Sequence, residues 1–365
     1  MLIGVWFAMG PEAAIILPPG VSCDGTRTET RMRVLLTGGA GYIGSHVVRA
    51  LTEAGHACVV YDSLVKGHAE AVSGLELIVA DVADGKKLRK ALRRNKIDTV
   101  IHFAAFIEAG ESVAKPDKYF HNNALIALSL LDAMRDSGVG RMVFSSTAAV
   151  YGQPERMPIC ETERLEPINP YGASKLCVEL MLPAYAAAYD MGFVSLRYFN
   201  VAGAHPAGDI GEAHDPETHL VPLILQVPLG QRERASIYGD DYDTPDGTCV
   251  RDYIHVCDLA DAHLLAADAI EPGAAKAYNL GNGAGFSVKQ VIDTCRAVTG
   301  HDIPADIGPR RPGDPATLIA SSGKAMDELG WRPKHADLPT IVADAWNWHK
   351  SHADGYNDQT DRHSR

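Results

Sequence analysis

The chain lacks several features that would point it elsewhere. No apolar run reaches the about 18 residues of a bilayer-spanning helix, so no membrane partner is expected. The seven cysteines, from Cys23 to Cys295, are odd in number, scattered and without a C-x-x-C pair. That excludes a disulfide framework, which a chain of this size does not need. Reduced thiols in a cytoplasmic protein are expected, and no metal site is assigned. Positive charge is short: 34 Lys and Arg face 46 Asp and Glu, a net charge of −12. A general nucleic-acid footprint is excluded, and an anionic ligand would have to be held by a local site. Repeats and low-complexity blocks are also missing. What remains is ordinary globular stock, 46% hydrophobic and 22% charged over 365 residues, enough for one large or two medium domains.

Residues 1–31 stand apart. Their apolar start at 2–7 meets Pro11, Glu12, Pro18 and Pro19 and follows no basic segment, so it makes a poor signal peptide. The text changes at Met32, which reads as the natural start of the fold, with 1–31 an extension. Residues 351–365 are polar and read as a loose tail.

Between these ends, short apolar runs at 34–36, 57–61, 75–79, 99–103, 142–144 and 194–198 read as buried strands. Helical patterns at 42–54, 86–94, 118–136 and 171–190 lie between them. That alternation implies an α/β fold, a Rossmann-type doubly wound parallel sheet over residues 32–200. From 201 to 350 Pro and Gly become frequent and short helices mix with loops. A smaller mixed α/β substrate-binding domain is expected there, some segments returning to the first.

Two constellations carry chemistry. Thr37-Gly38-Gly39-Ala40-Gly41-Tyr42-Ile43-Gly44 ends the first strand and opens the first helix. It fits G-x-G-x-x-G through Gly39, Gly41 and Gly44, or G-x-x-G-x-x-G through Gly38, Gly41 and Gly44. Without side chains, the backbone turns tightly and approaches a pyrophosphate at the helix N-terminus. Asp62 ends the second strand, where a carboxylate accepts both ribose hydroxyls and repels a 2′-phosphate, so NAD is favoured over NADP. Asp81, ending the third strand, fits an adenine contact. The second constellation is Tyr171-Gly172-Ala173-Ser174-Lys175, a phenol and an ammonium at i and i+4 on one helical face. The lysine charge should favour the phenolate and make Tyr171 a general base. Thr147, after Phe144-Ser145-Ser146, could hydrogen-bond the substrate hydroxyl and complete a Thr-Tyr-Lys set.

At these residues the sequence resembles the UDP-glucose 4-epimerase family of the extended short-chain dehydrogenase/reductase superfamily, from Met32 to about His349. The resemblance also rests on Ser45-His46, Phe103-Ala104-Ala105, Gly110-Glu111-Ser112-Val113, Ala148-Ala149-Val150-Tyr151-Gly152, Asn169-Pro170, Arg197-Tyr198-Phe199-Asn200 and Val250-Arg251-Asp252-Tyr253-Ile254-His255-Val256. It implies reversible epimerisation of UDP-glucose and UDP-galactose through a 4-keto sugar and tightly bound NAD, in galactose metabolism, by a homodimer. It also implies site roles. The cofactor would meet Tyr42, Ile43, Val82, Phe103, Ala104, Ala105 and Lys175, with Asn123 near its phosphate and Phe199 on the nicotinamide. Asn200 would hold the UDP phosphates, Arg251 and Arg311 would clamp them, and Asp314 would bind the uridine ribose. Leu220 would touch the substrate, and Ser236-Ile237-Tyr238 would line the uracil pocket. Leu318 would stand beside sugar carbon 2, where some members carry tyrosine, and would leave room for a 2-acetamido group. Some members also carry a phosphate-contacting lysine where this chain has Ile107.

Rival activities need residues that are missing here. A 4,6-dehydratase needs an Asp-Glu pair after the threonine, and a decarboxylating relative needs a glutamate; Thr147 is followed by Ala148 and Ala149. A 4-epimerase of a UDP-pentose or UDP-uronate stays open. A non-catalytic NAD sensor would have no use for the Tyr-Lys pair.

Overall fold

Val34 and Leu36 leave the first strand on one face and Leu35 on the other, and each set enters a different core. Alternation with both faces buried is the mark of a sheet covered on both sides. The structure, a computed structural model, describes residues 31–311 and 314–357. The readings of residues 1–30 therefore lie outside the described residues.

The elements follow in order. First come β1 (Arg33–Thr37), α1 (Tyr42–Glu53), β2 (Ala57–Asp62), β3 (Glu76–Val79), α2 (Gly85–Arg94) and β4 (Thr99–His102). A helical run then comprises α3 (Ala109–Ala114), α4 (Pro116–Tyr119), a π-helical turn (Phe120–Leu125) and α5 (Ile126–Ser137), before β5 (Arg141–Thr147), α6 (Pro170–Tyr189) and β6 (Gly192–Tyr198). The rest is β7 (Asn200–Ala202), α7 (Leu220–Leu225), β8 (Ala235–Tyr238), β9 (Val250–Arg251), β10 (Tyr253–His255), α8 (Val256–Asp268), β11 (Ala275–Leu280), β12 (Phe286–Ser287), α9 (Val288–Thr299), β13 (Ala305–Gly308), β14 (Thr317–Leu318), α10 (Gly323–Glu328) and α11 (Leu338–Ser351).

Seven strands form one parallel sheet in the order β11-β6-β5-β4-β1-β2-β3. The chain starts in the middle and winds outward both ways, so the carboxyl ends of β1 and β4 flank the switch point, where such sheets bind ligands. Val47, Val48 and Leu51 of α1 and Leu259 and Ala266 of α8 cover one face. Leu88 and Leu92 of α2, Leu130 and Leu131 of α5, and Val178 and Leu182 of α6 cover the other.

Beyond Tyr198, α8 and β11 belong to this sheet and its cover. Small sheets β10-β7, β12-β9-β14 and β13-β8 surround a third core shared by α7, α9 and α11. Two expectations need correction. The helix expected at 118–136 begins as α4 and passes through the π-helical turn before α5. The loose tail does not hold for its first part. Tyr356 is 4% exposed and its hydroxyl donates to the Gly211 carbonyl at 3.2 Å, while the Asn357 amide donates to Glu70 at 2.8 Å. No helix among the described residues is long and apolar enough to cross a membrane.

Candidate active site

The glycine turn joins β1 to α1 at the switch point. Gly38 has φ +72°, and a Cβ there would sit 2.5 Å from the Ala104 nitrogen. A Cβ on Gly44 would meet the Gly38 carbonyl at 2.4 Å, so the helix enters against its own turn. Gly41, the α1 N-cap, is different: its Cβ would touch only the Gly38 oxygen, at 3.4 Å. Packing demands Gly38 and Gly44 and leaves Gly39 little room, its Cβ 3.0 Å from Leu36 Cβ, but makes no such demand at Gly41. An open backbone at a helix N-terminus fits a pyrophosphate.

Around this turn, Phe103 and Ala104 both donate their backbone N–H to the Thr37 carbonyl, which lays Phe103-Ala104-Ala105 beside Gly38. Asp62 accepts from the backbone N–H of Ala40 at 3.0 Å and of Leu64 at 2.8 Å, which places its carboxylate against the turn. Asp81 is exposed beyond β3 and accepts from Ala83 N–H at 2.8 Å. Tyr42 donates to the Gly203 carbonyl at 2.6 Å, and Ile43 packs on the core, so these two offer a ligand only backbone. The Val82 side chain is likewise in the core.

Asn123, expected near a cofactor phosphate, is held by contacts within the protein. Its Oδ1 accepts from Phe106 N–H at 2.9 Å and Asn122 Nδ2 at 3.0 Å, and its Nδ2 donates to Phe106 O and Ser174 Oγ, each at 3.0 Å. Both donors and both acceptor sites are occupied. Buried at 2% exposure, Asn123 ties the π-helical turn to α6.

α6 begins on a capped, proline-primed turn: Asn169 Oδ1 accepts from Gly172 N–H at 2.8 Å, with Pro170 at its first position. The Tyr171 N–H donates to Ser112 Oγ at 3.1 Å, so α3 fixes the helix start. Ser112 was visible within a motif, but its polarity alone announced no role. Lys175, one turn on, is 3% exposed and donates to the Ser145 carbonyl of β5 at 2.7 Å. One further turn on, Glu179 accepts from Ser146 Oγ and pairs with the buried Arg197 of β6. β5, β6 and α6 are thereby locked together beneath the site.

The electrostatics differ from expectation. Burial raises the Tyr171 phenol above its ordinary value; the Thr147 hydroxyl opposes this, and Glu108 adds to it. Burial alone pulls the Lys175 ammonium down to about 7. The i, i+4 spacing sets both side chains on one face, but the ammonium is directed at Ser145 rather than at the phenol. The hydroxyl group acting on the phenol is that of Thr147, whose Oγ1 also accepts from Ala149 N–H at 3.1 Å and so fixes the turn after β5.

On the substrate side, the β9–β14 register sets Leu318 opposite Arg251. Arg251 pairs with Asp314, and its Nη1 donates to the Val250 carbonyl at 2.7 Å. Arg311 lies over the Tyr238 ring, 4.1 Å from its centre. Leu318 packs beside Phe199, Val150 and Tyr151. Asn200 is exposed on β7. Leu220 opens α7 half-buried on the third core. Ile237 needs correction: it is 6% exposed and sits in the third core. Strand alternation leaves Ser236 and Tyr238 on the other face.

Glycine turn, switch point and a Tyr-x-x-x-Lys helix docked on β5 define an α/β dinucleotide-dependent enzyme of the short-chain dehydrogenase/reductase type. Residues 34–281 match the NAD dependent epimerase/dehydratase family. A UDP-glucose 4-epimerase of Halalkalibacterium halodurans is 55% identical over 326 residues, 89% of this chain and 98% of that protein. A UDP-glucose 4-epimerase of Brucella ovis, solved in complex with NAD, superposes with a TM-score of 0.83 at 45% identity, covering 86% of this chain and 97% of that one. One from Bifidobacterium longum, solved with NAD+ and UDP, superposes with a TM-score of 0.85 at 40% identity, covering 89% and 100%. The chain belongs to the NAD dependent epimerase/dehydratase family and, within it, to the UDP-glucose 4-epimerases.

Proposed function

We propose that the protein interconverts UDP-glucose and UDP-galactose at sugar carbon 4 through a 4-keto sugar. The observation that carries this reading is the convergence of Thr147, Tyr171 and Lys175 at the carboxyl end of β5, followed by Ala148 and Ala149, which offer no second acid or base. The residues fit NAD: the open backbone at Gly41, the Asp62 carboxylate against the turn, and Lys175 one layer below. When bound, NAD supplies a reversible two-electron acceptor at carbon 4.

The chain's own residues do the rest. Tyr171, acting as the phenolate, would take the proton of the 4-hydroxyl as hydride leaves carbon 4, and would return it from the phenol when hydride comes back. Thr147 holds that hydroxyl and the phenol in register. Lys175, held by Ser145, supports the cofactor side. Arg251, Arg311, Asn200 and Asp314 anchor the UDP, with Ser236, Tyr238 and Leu220 beside the base and Asp81 at the far end of the cofactor. Anchoring at UDP leaves the keto sugar free to turn and present its other face. Uniform anchoring lowers KM, and only the contacts at carbon 4 raise kcat.

Three finer readings belong here. Leu318, shorter than tyrosine, leaves room at carbon 2, which supports turnover of the 2-acetamido sugars. Six free cysteines among the described residues support a reducing, cytoplasmic setting. A homodimer is supported by apolar side chains exposed on the α4-to-α6 surface, Leu125 at 52% and Leu180 at 68%.

The test is purified protein given UDP-galactose, with UDP-glucose as readout and no NAD or NADH added. Turnover without NADH consumption is expected, because the cycle is redox-neutral. Tyr171→Phe should lower turnover by about two to four orders of magnitude while UDP binding persists. Near-normal turnover of that variant removes Tyr171 from the mechanism.

A further inference from the structure

The loop between β7 and α7 carries Glu212, His214, Glu217 and His219, and one ligand atom of each lies within 4.8 Å of all the others. The atoms converge on a common centre. His219 Nδ1 is 2.7 Å from Glu212 Oε1 and 3.3 Å from Glu217 Oε1; His214 Nδ1 is 3.0 Å from Glu212 Oε1 and 3.8 Å from Glu217 Oε2. The imidazoles and carboxylates stand at ion-pair distance, but the angles between them are poor for hydrogen bonds. Glu212 Oε1, His214 Nδ1 and His219 Nδ1 are buried and make no directed hydrogen bond. The side chain of Glu212 is only 3% exposed and that of Glu217 only 7%. Buried polar atoms usually make directed bonds, and an ion at the common centre would supply them to all four groups.

We propose that these four residues form a structural zinc site. Nitrogen and carboxylate ligands at about 2.0–2.2 Å in tetrahedral array stand about 3.3–3.5 Å apart, within the span observed. Two imidazoles favour zinc over magnesium or calcium, and two carboxylates cancel the charge of a divalent ion. The side chain of His219 is 37% exposed, which gives the ion a way in. Four protein ligands leave no open position, so the ion holds structure and performs no chemistry.

What it would hold is the approach to the cofactor turn. The His214 ring stands edge-on to Tyr42, 6.2 Å between centres, and Tyr42 follows Gly41 at the start of α1. Trp348 Nε1 donates to the Glu212 carbonyl at 3.0 Å, and His68 Nε2 contacts the Ala213 carbonyl at 2.8 Å. His219 caps α7, where Leu220 begins. One ion would fasten α1, the loop between β7 and α7, and α7 together.

The test begins with untagged protein and elemental analysis, where about one zinc per chain is expected. Stripping with dipicolinate should lower Tm by several degrees, and zinc but not magnesium should restore it. Stripped wild-type protein titrated with Co2+ should develop the visible bands of a four-coordinate site, saturating near one equivalent and bleached by zinc. His214→Ala and the milder Glu217→Gln should lose the bands. Zinc well below stoichiometry, together with a folded stripped protein whose Tm is insensitive to zinc and which gives no saturable Co2+ spectrum, overturns the proposal. The cluster is then a set of buried ion pairs.

Discussion

Gly38 and Gly41 look alike in the sequence and meet different surroundings. Gly38→Ala forces a Cβ to within 2.5 Å of backbone at a positive φ, so the fold itself should suffer. Gly41→Ala meets nothing closer than 3.4 Å. It should leave the Tm of cofactor-free protein nearly unchanged while weakening NAD retention about tenfold or more, near 1.4 kcal/mol. Equal retention in the wild type and Gly41→Ala would mean that the turn does not hold the pyrophosphate. Lys175 has a different cost. Its folded value near 7 lies below the ordinary lysine value, so the unfolded chain binds more protons between the two. Stability from this group therefore rises with pH from about 7 to about 10.4, and the burial cost is fully present below that window. Lys175→Met should raise the Tm of cofactor-free protein at pH 6, lose that advantage towards pH 10, and abolish turnover. A variant less stable than wild type at pH 6 would show that the ammonium is better compensated than burial implies. At Leu318, tyrosine should suppress acetamido turnover and spare UDP-galactose; absence of acetamido turnover in the wild type refutes the gate.

At the scale of elements, the apolar strands were legible because a strand buried on both faces is written as an unbroken hydrophobic run. β5 was read too short: Ser145, Ser146 and Thr147 are polar, yet buried because Tyr198, Glu179 and Ala149 satisfy them. The π-helical turn was not legible, since its extra residue leaves no mark in a period near 3.6. It is nonetheless what aims Asn123 at two backbone groups of Phe106 and at Ser174. Asn123→Ala should cost about 1–3 kcal/mol through the unpaired groups it leaves. It should also lower kcat, because α6 carries Tyr171. Unchanged Tm would show that water replaces the amide. The helices that display Leu125 and Leu180 carry the oligomer prediction. Leu125→Glu with Leu180→Glu should turn a dimer in light scattering into a monomer; a wild-type monomer at micromolar concentration ends that reading.

For the whole molecule, the motifs near the chain's start were readable because their residues are neighbours in sequence. The substrate layer was not, because it is stitched from two- to four-residue strands distant in sequence, such as β9 with β14. Glu212-x-His214-x-x-Glu217-x-His219 was in plain view, but polar loops of this composition are common, and only convergence in space singles it out.

The topology has one more consequence, for how the chain is born. β6 is buried along its whole length, and its outer neighbour is β11, paired from Phe193 to Tyr198 against Ala275 to Leu280. A ribosome that has made residues 32–200 has therefore made a sheet whose last strand offers an apolar, unpaired rim to the cytosol. It must synthesise some eighty residues more before the cover arrives. Such rims recruit other strands. A fragment ending at residue 200 should aggregate when expressed alone, whereas the full chain should stay in the supernatant. The nascent chain should lean on holding chaperones during that interval.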